Sequence, residues 1–225
     1  MNLLESLRGG LVVSCQPVDG GAMDAPFIVA AMAKASEDSG AFGVRIEGIE
    51  NLRAARPKIS IPIIGIIKED LPNSPVRITP RIDQVNELAE AGADIIAYDA
   101  TDRPRVDHRD KVLGAIVNSG KIAMADCSTF EDAQIAIDKG AKIIGTTLSG
   151  YTEATASNSE LPDFELITQF AGLGVFAMAE GRISTPEQVT LAFKCGADSV
   201  TVGTALTRLE PQVEMFVNRT KARSG

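Results

Sequence analysis

Four copies of one short phrase constrain the fold of this 225-residue chain more than any other feature: Ser39-Gly-Ala-Phe-Gly-Val, Ala91-Gly-Ala-Asp-Ile-Ile, Lys139-Gly-Ala-Lys-Ile-Ile and Cys195-Gly-Ala-Asp-Ser-Val. In each, a glycine suits the left-handed residue that ends a helix, a small alanine lets helix and strand approach closely, and an apolar strand begins. The glycines stand at 40, 92, 140 and 196, so the intervals are 52, 48 and 56 residues. Each interval is long enough for two strand–helix units. Four joints, each closing two such units, predict eight strands, each followed by a helix.

The apolar runs fall where that count requires, at 10–16, 42–48, 61–68, 95–99, 122–126, 143–147, 175–179 and 199–203. A short amphipathic helix precedes the first, and another, at about 211–221, follows the last. Hydrophobic residues make up 44% of the chain and aromatic residues only 4%, so the core is built from Ile, Val, Leu and Ala, the usual filling of a parallel sheet covered by helices. The alternation lacks a glycine-rich dinucleotide fingerprint. It favours an α/β chain folded as a (β/α)8 TIM barrel over an open doubly wound sheet. No break in composition suggests a second domain, and 1–225 is expected to be one.

A net charge of −8 argues against nucleic acid as partner, because binding a phosphate backbone needs a clustered basic surface. No apolar run approaches the roughly 18 residues of a membrane span, and the N-terminus is too short and polar for a signal peptide, so the expected location is cytoplasmic. The scattered cysteines, Cys15, Cys127 and Cys195, suit buried free thiols in a reducing compartment. With one histidine, His108, in the polar stretch 102–110, neither a metal nor another cofactor is expected.

In a barrel of this kind the site lies at the C-terminal ends of the strands. Polar residues that end apolar runs are therefore the candidates: Gln16, Arg45, Glu47, Lys68, Asp99, Asp126, Thr147, Ser149, Glu180 and Arg182. Lys68 and Glu180 stand out, because an ionisable group after so apolar a run is costly unless it faces a polar cavity. Strands three and seven lie across a barrel of eight, so these two point into the mouth from opposite walls. An ion pair closing the barrel top is the bland alternative. Gly181-Arg182 after strand seven and Gly203-Thr204 after strand eight stand where barrels bind phosphate through backbone N–H groups, with Arg208 near in sequence. Ordinary tight turns are the alternative there.

Taken together, Ser14-Cys-Gln-Pro17, Arg45-Ile-Glu-Gly48, Ile63-Ile-Gly-Ile-Ile-Lys68, Asp99-Ala-Thr-Asp-Arg-Pro104, Asp126-Cys-Ser-Thr129, Ile144-Gly-Thr-Thr-Leu-Ser-Gly-Tyr151, Ala179-Glu-Gly-Arg182 and Val202-Gly-Thr-Ala-Leu-Thr-Arg208 resemble the N-acetylmannosamine-6-phosphate 2-epimerase family. The likeness runs over nearly the whole chain, apart from the loop 152–159. It implies a barrel enzyme of bacterial sialic-acid and amino-sugar breakdown. Such an enzyme interconverts N-acetylmannosamine 6-phosphate and N-acetylglucosamine 6-phosphate without added cofactor. By the same resemblance Lys68 and Glu180 are catalytic, Gln16, Arg45, Asp126 and Arg208 contact the sugar, and the phosphate falls on the turns that hold Gly181, Arg182, Gly203 and Thr204.

Epimerisation at C2 requires an open-chain sugar with a carbonyl at C1, a base, an acid and donors aimed at the developing enolate oxygen. Lys68 and Glu180 can supply the first pair in either order, and Arg45 is the candidate donor. Other classes stay open on residues alone: a Schiff-base aldolase or lyase using Lys68, or a non-catalytic barrel that binds a sugar phosphate. The expected partner is a small phosphorylated amino sugar, with a homodimer as the expected assembly on the strength of the C-terminal helix and the alanine-rich helix faces.

Overall fold

A computed structural model describes residues 2–157 and 159–221; Met1, Asn158 and 222–225, which the expected domain includes, lie outside the described residues. The chain opens with α1 (Leu3–Leu7) and then alternates through β1 (Leu11–Cys15), α2 (Pro26–Asp38), β2 (Gly43–Glu47), α3 (Ile49–Ala55), β3 (Ile63–Ile66), α4 (Ile82–Glu90), β4 (Ile95–Asp99) and α5 (Arg109–Asn118). It continues through β5 (Ile122–Asp126), α6 (Phe130–Asp138), β6 (Ile143–Gly145), α7 (Phe164–Ala171), β7 (Phe176–Ala179), α8 (Pro186–Lys194) and β8 (Ser199–Val202). A helix absent from the sequence reading, α9 (Thr204–Thr207), then precedes α10 (Leu209–Lys221). Among the described residues no helix is long and apolar enough to cross a membrane.

The eight strands are parallel and the sheet closes, β8 pairing with β1 through Leu11 and Val200. This is the expected (β/α)8 barrel, not the open sheet. The repeated joints work as their composition predicts: Gly40, Gly92, Gly140 and Gly196 all have left-handed backbones, with φ of 89°, 102°, 111° and 94°. The alanines that follow are buried. At one joint the approach is tight enough that a Cβ on Gly65 of β3 would lie 2.8 Å from the Ala93 Cβ.

Apart from β4 and β5, the strands are shorter than the apolar runs that announce them. β3 begins after Pro62, which has no N–H and contributes only its carbonyl to Val44. It ends at Ile66, because beyond that point Lys68 leaves the barrel ladder for an antiparallel bridge to Ile78.

Alternation along each strand sorts side chains into two cores. Val12, Ile64, Ile66, Ile95, Ala97, Met124, Ile143, Phe176 and Met178 fill the barrel, and a larger set lies between strands and helices. Leu7 of α1 seals the bottom; burying a leucine fully is worth about 1.5–3 kcal/mol. Beside it Arg8 stacks over the Phe176 ring and pairs with Asp198. Toward the other end the same period of two turns polar. Ala97 gives way to Asp99, Met124 to Asp126, Gly145 to Thr147 and Met178 to Glu180, so the apolar floor directly supports the polar mouth.

Candidate active site

A cavity of about 570 Å³ opens at the C-terminal ends of the strands. Its wall brings together Gln16, Arg45, Lys68, Glu180, Gly181, Arg182, Gly203, Thr204 and Arg208. Of the strand-end candidates, Glu47, Asp99 and Ser149 do not line it, and neither does Asp126. It is fully buried behind Arg45, with Oδ1 3.1 Å from Nη1 and Oδ2 2.6 Å from Nη2, and Thr147 donates to its Oδ1 at 2.7 Å. Asp126 acts on a ligand through the side chains it holds, Arg45 and Thr147.

Arg45 is the hub of the site. Besides Asp126 it bonds Glu180, Nη1 to Oε2 at 3.1 Å, and its side chain is 2% exposed. Burial works against a charged guanidinium, but Asp126 and Glu180 outweigh it and keep the group firmly protonated. Its Nε is buried with no hydrogen-bond partner among the described residues. A guanidinium has five N–H donors, so Nε–H is a buried donor that the acids around Arg45 leave unmatched.

Lys68 and Glu180 share this cavity but form no ion pair among the described residues; Glu180 pairs with Arg45 instead. Burial lowers the Lys68 ammonium, and the positive charge of Arg45 adds to that effect. Burial raises the Glu180 carboxyl to about 7; Arg45 opposes the rise and Asp126 adds to it. Both groups are thus pushed toward their uncharged forms, the reverse of what a structural lysine–glutamate bridge produces. Glu47 accepts the Lys68 backbone N–H at 3.3 Å and steadies the end of β3.

At the opposite wall Gln16 donates to the Ser14 hydroxyl at 2.6 Å, and the Arg208 guanidinium donates to the Gln16 carbonyl at 3.3 Å. The turn at Gly203 comes so close to β1 that an added Cβ would lie 3.2 Å from the Ser14 Cβ. From there α9 starts, pinned by the Thr207 hydroxyl, which donates to the Ser14 carbonyl at 2.6 Å. Gly181 (φ 103°) and Arg182 (φ 58°) both turn left-handed after β7. The Arg182 side chain leaves the cavity centre and ties down the loop after β6, donating to the carbonyls of Ser149 at 2.8 Å and Leu161 at 2.7 Å and lying over the Tyr151 ring. It fills the space above Gly150, where a Cβ would lie 1.9 Å from Nη1.

Among the wall residues that escaped the sequence reading, Ser14 and Thr201 sit inside strands, not at their ends, and only counting back by twos from Gln16 and Gly203 would have turned them inward. Conversely Asp99, Arg103 and Arg105 do not line the cavity. Asp99 is buried and bonded by Arg103 at 2.6 Å and Arg105 at 3.1 Å, so the two arginines clamp it. His108 caps α5 by accepting the Asp110 N–H. Cys15 and Cys127 are buried free thiols, while Cys195 is half-buried.

Comparison with known proteins agrees with this geometry. Residues 29–222 match the family described as NanE, "Putative N-acetylmannosamine-6-phosphate epimerase". The chain is 52% identical over 220 residues to a Pasteurella multocida protein named "Putative N-acetylmannosamine-6-phosphate 2-epimerase", covering 98% of this chain and 96% of that one. A Haemophilus influenzae protein of the same name is 50% identical over the same shares. A solved structure of the N-acetylmannosamine-6-phosphate 2-epimerase from Clostridium perfringens superposes with a TM-score of 0.92 at 35% identity, over 97% of this chain and 96% of that one.

Proposed function

Because the chain belongs to the N-acetylmannosamine-6-phosphate epimerase family, we propose that it interconverts N-acetylmannosamine 6-phosphate and N-acetylglucosamine 6-phosphate by moving the hydrogen of C2 from one face to the other. The observation that carries the mechanism is the pair Lys68 and Glu180, set in one cavity and both pushed toward their uncharged forms. A neutral amine is a base and a neutral carboxyl is an acid, so both shifts run in the direction that a proton relay needs.

In the open-chain sugar the Lys68 amine removes the C2 proton and becomes an ammonium. The electron pair moves to O1, where the positive charge of the Arg45 guanidinium stabilises the enolate oxygen. The Glu180 carboxyl then delivers its proton to the opposite face of C2 and is left as carboxylate. Return of the proton from Lys68 to Glu180 through solvent restores both groups, and the reverse reaction exchanges their roles. Gln16 and Arg208 orient the sugar on the β1 side. The phosphate sits on the backbone of Gly181-Arg182 and Gly203-Thr204, the second turn opening α9, with the Arg182 side chain supporting the loop above.

The test is solvent exchange at C2. Incubated in deuterium oxide with N-acetylmannosamine 6-phosphate, the native protein incorporates deuterium at C2, and Lys68→Ala and Glu180→Ala each lose exchange by about 10²–10⁴-fold. Full exchange in both variants overturns the assignment. A covalent adduct trapped by borohydride would point to a Schiff base instead. The outward apolar residues of α10, Val213, Phe216 and Val217, support the homodimer, and sedimentation tests it.

A further inference from the structure

The phrase Gly145-Thr-Thr147 at the end of β6 has no part in the mechanism above, yet all three residues bear on Glu180. Regular pairing of β6 with β7 ends at Gly145 and Met178. One step further, the Thr146 hydroxyl takes over both functions of a peptide unit: it donates to the Glu180 carbonyl at 2.8 Å and accepts the Glu180 N–H at 3.1 Å. The backbone of Glu180 is thereby fixed by a side chain. Continuing the register one more residue sets Thr147 beside the Glu180 side chain, facing the cavity.

The Thr147 hydroxyl lies between two acids. It donates to Asp126 Oδ1 at 2.7 Å, the oxygen that also accepts Arg45 Nη1 at 3.1 Å, and Nη1 is equally 3.1 Å from Glu180 Oε2. Asp126 therefore has the Arg45 fork whether or not Thr147 donates to it. A hydroxyl has one proton and two lone pairs, and it rotates to suit its neighbours. The room for this rotor comes from Gly145: a Cβ there would lie 3.0 Å from Thr147 Oγ1, 3.5 Å from Asp126 Oδ1 and 2.8 Å from Met124 Cε.

We propose that Thr147 is a positioning residue for Glu180. When Glu180 is protonated, its O–H is free to face C2 while the Thr147 hydroxyl proton points at Asp126. As Glu180 gives up its proton, the hydroxyl turns and donates to the new carboxylate. No bond to hydrogen breaks within Thr147; only its orientation changes. The rotation stabilises the acid's conjugate base at the moment it forms and keeps the carboxyl aimed at C2. The same hydroxyl is among the influences that hold the Glu180 carboxyl down against burial. The proposal rests on Glu180 being the acid of the epimerisation.

The experiment compares Thr147→Val, which keeps the shape and removes the hydroxyl, with Thr147→Ser, which keeps the hydroxyl. A hydrogen bond to a charged group is worth enough to shift the carboxyl by about one pH unit. In the valine variant kcat falls roughly 10-fold at neutral pH and the limb of its pH profile set by Glu180 moves up by about one unit, while the serine variant returns both to within about 3-fold of native. A structural role alone lowers Tm and activity at every pH without moving the limb. An unmoved limb in Thr147→Val, or a serine variant as impaired as the valine one, overturns the proposal. Should the valine variant not fold, Thr147→Ala removes the same hydroxyl and the same limb decides. If Glu180→Ala retains full C2 exchange, the acid assignment itself fails; if it loses exchange while the limb stays fixed in Thr147→Val, only the role of Thr147 does.

Discussion

Two buried clusters of arginine and carboxylate stand near the top of this barrel with opposite stoichiometry. Around Asp99, two cations, Arg103 and Arg105, close on one acid within seven residues of chain. Around Arg45, one cation holds two acids, Asp126 and Glu180, from strands 81 and 135 residues away. The surplus charge decides what each can do. A surplus arginine cannot shed its proton in water-accessible pH ranges, so the Asp99 cluster is fixed and serves as a clamp for the loop after β4. A surplus carboxylate can take a proton up, and Glu180, raised to about 7, is the group that does so. The cluster that titrates is the one that faces the cavity.

Removing the hub tests this contrast most severely. Arg45→Met leaves Asp126 buried and unpaired, which costs about 3–5 kcal/mol, and urea unfolding should show it together with loss of activity. The surplus itself is next. Glu180 titrates at about 7 in the folded protein against an ordinary 4.5, so the folded state keeps a proton that the unfolded chain has lost between those values. Its favourable contribution is complete below about pH 4.5 and is lost as pH rises through 7. Glu180→Gln mimics the neutral form. It should match native stability at pH 4 and exceed it by on the order of 1–3 kcal/mol at pH 8. A constant difference across that range would place the surplus elsewhere. The smallest effect belongs to the clamp: Arg103→Met leaves Asp99 with Arg105 and Thr101, so stability falls by about 1 kcal/mol and C2 exchange is unchanged.

Much of this was legible before any coordinates. The four glycine joints fixed the number of strands, because a left-handed residue followed by a close approach leaves few choices but Gly-Ala. Strand tips then pointed to Lys68 and Glu180, since an ionisable group needs a reason to follow an apolar run. What a list of tips does not contain is depth. Arg45 and Asp126 look alike as polar residues ending strands, yet one lines the cavity and the other is sealed behind it, a distinction set by barrel register. Nor does sequence say where an arginine's reach ends: Arg182 stands in the turn expected to bind phosphate, and its guanidinium goes to the carbonyls of Ser149 and Leu161. The helix α9 was missed because four residues are too few to show a period.

The space above Gly150 has a consequence for how sequences of this fold can drift. With the Arg182 guanidinium where a Cβ would be, and a backbone φ of 83° besides, Gly150 gains a side chain only if that guanidinium swings away and gives up its bonds to Ser149 and Leu161. If Arg182 is lost first, the space opens but the left-handed backbone still disfavours replacement. The two positions are therefore epistatic: in a saturation library, changes at Gly150 cost less on backgrounds where Arg182 has already gone.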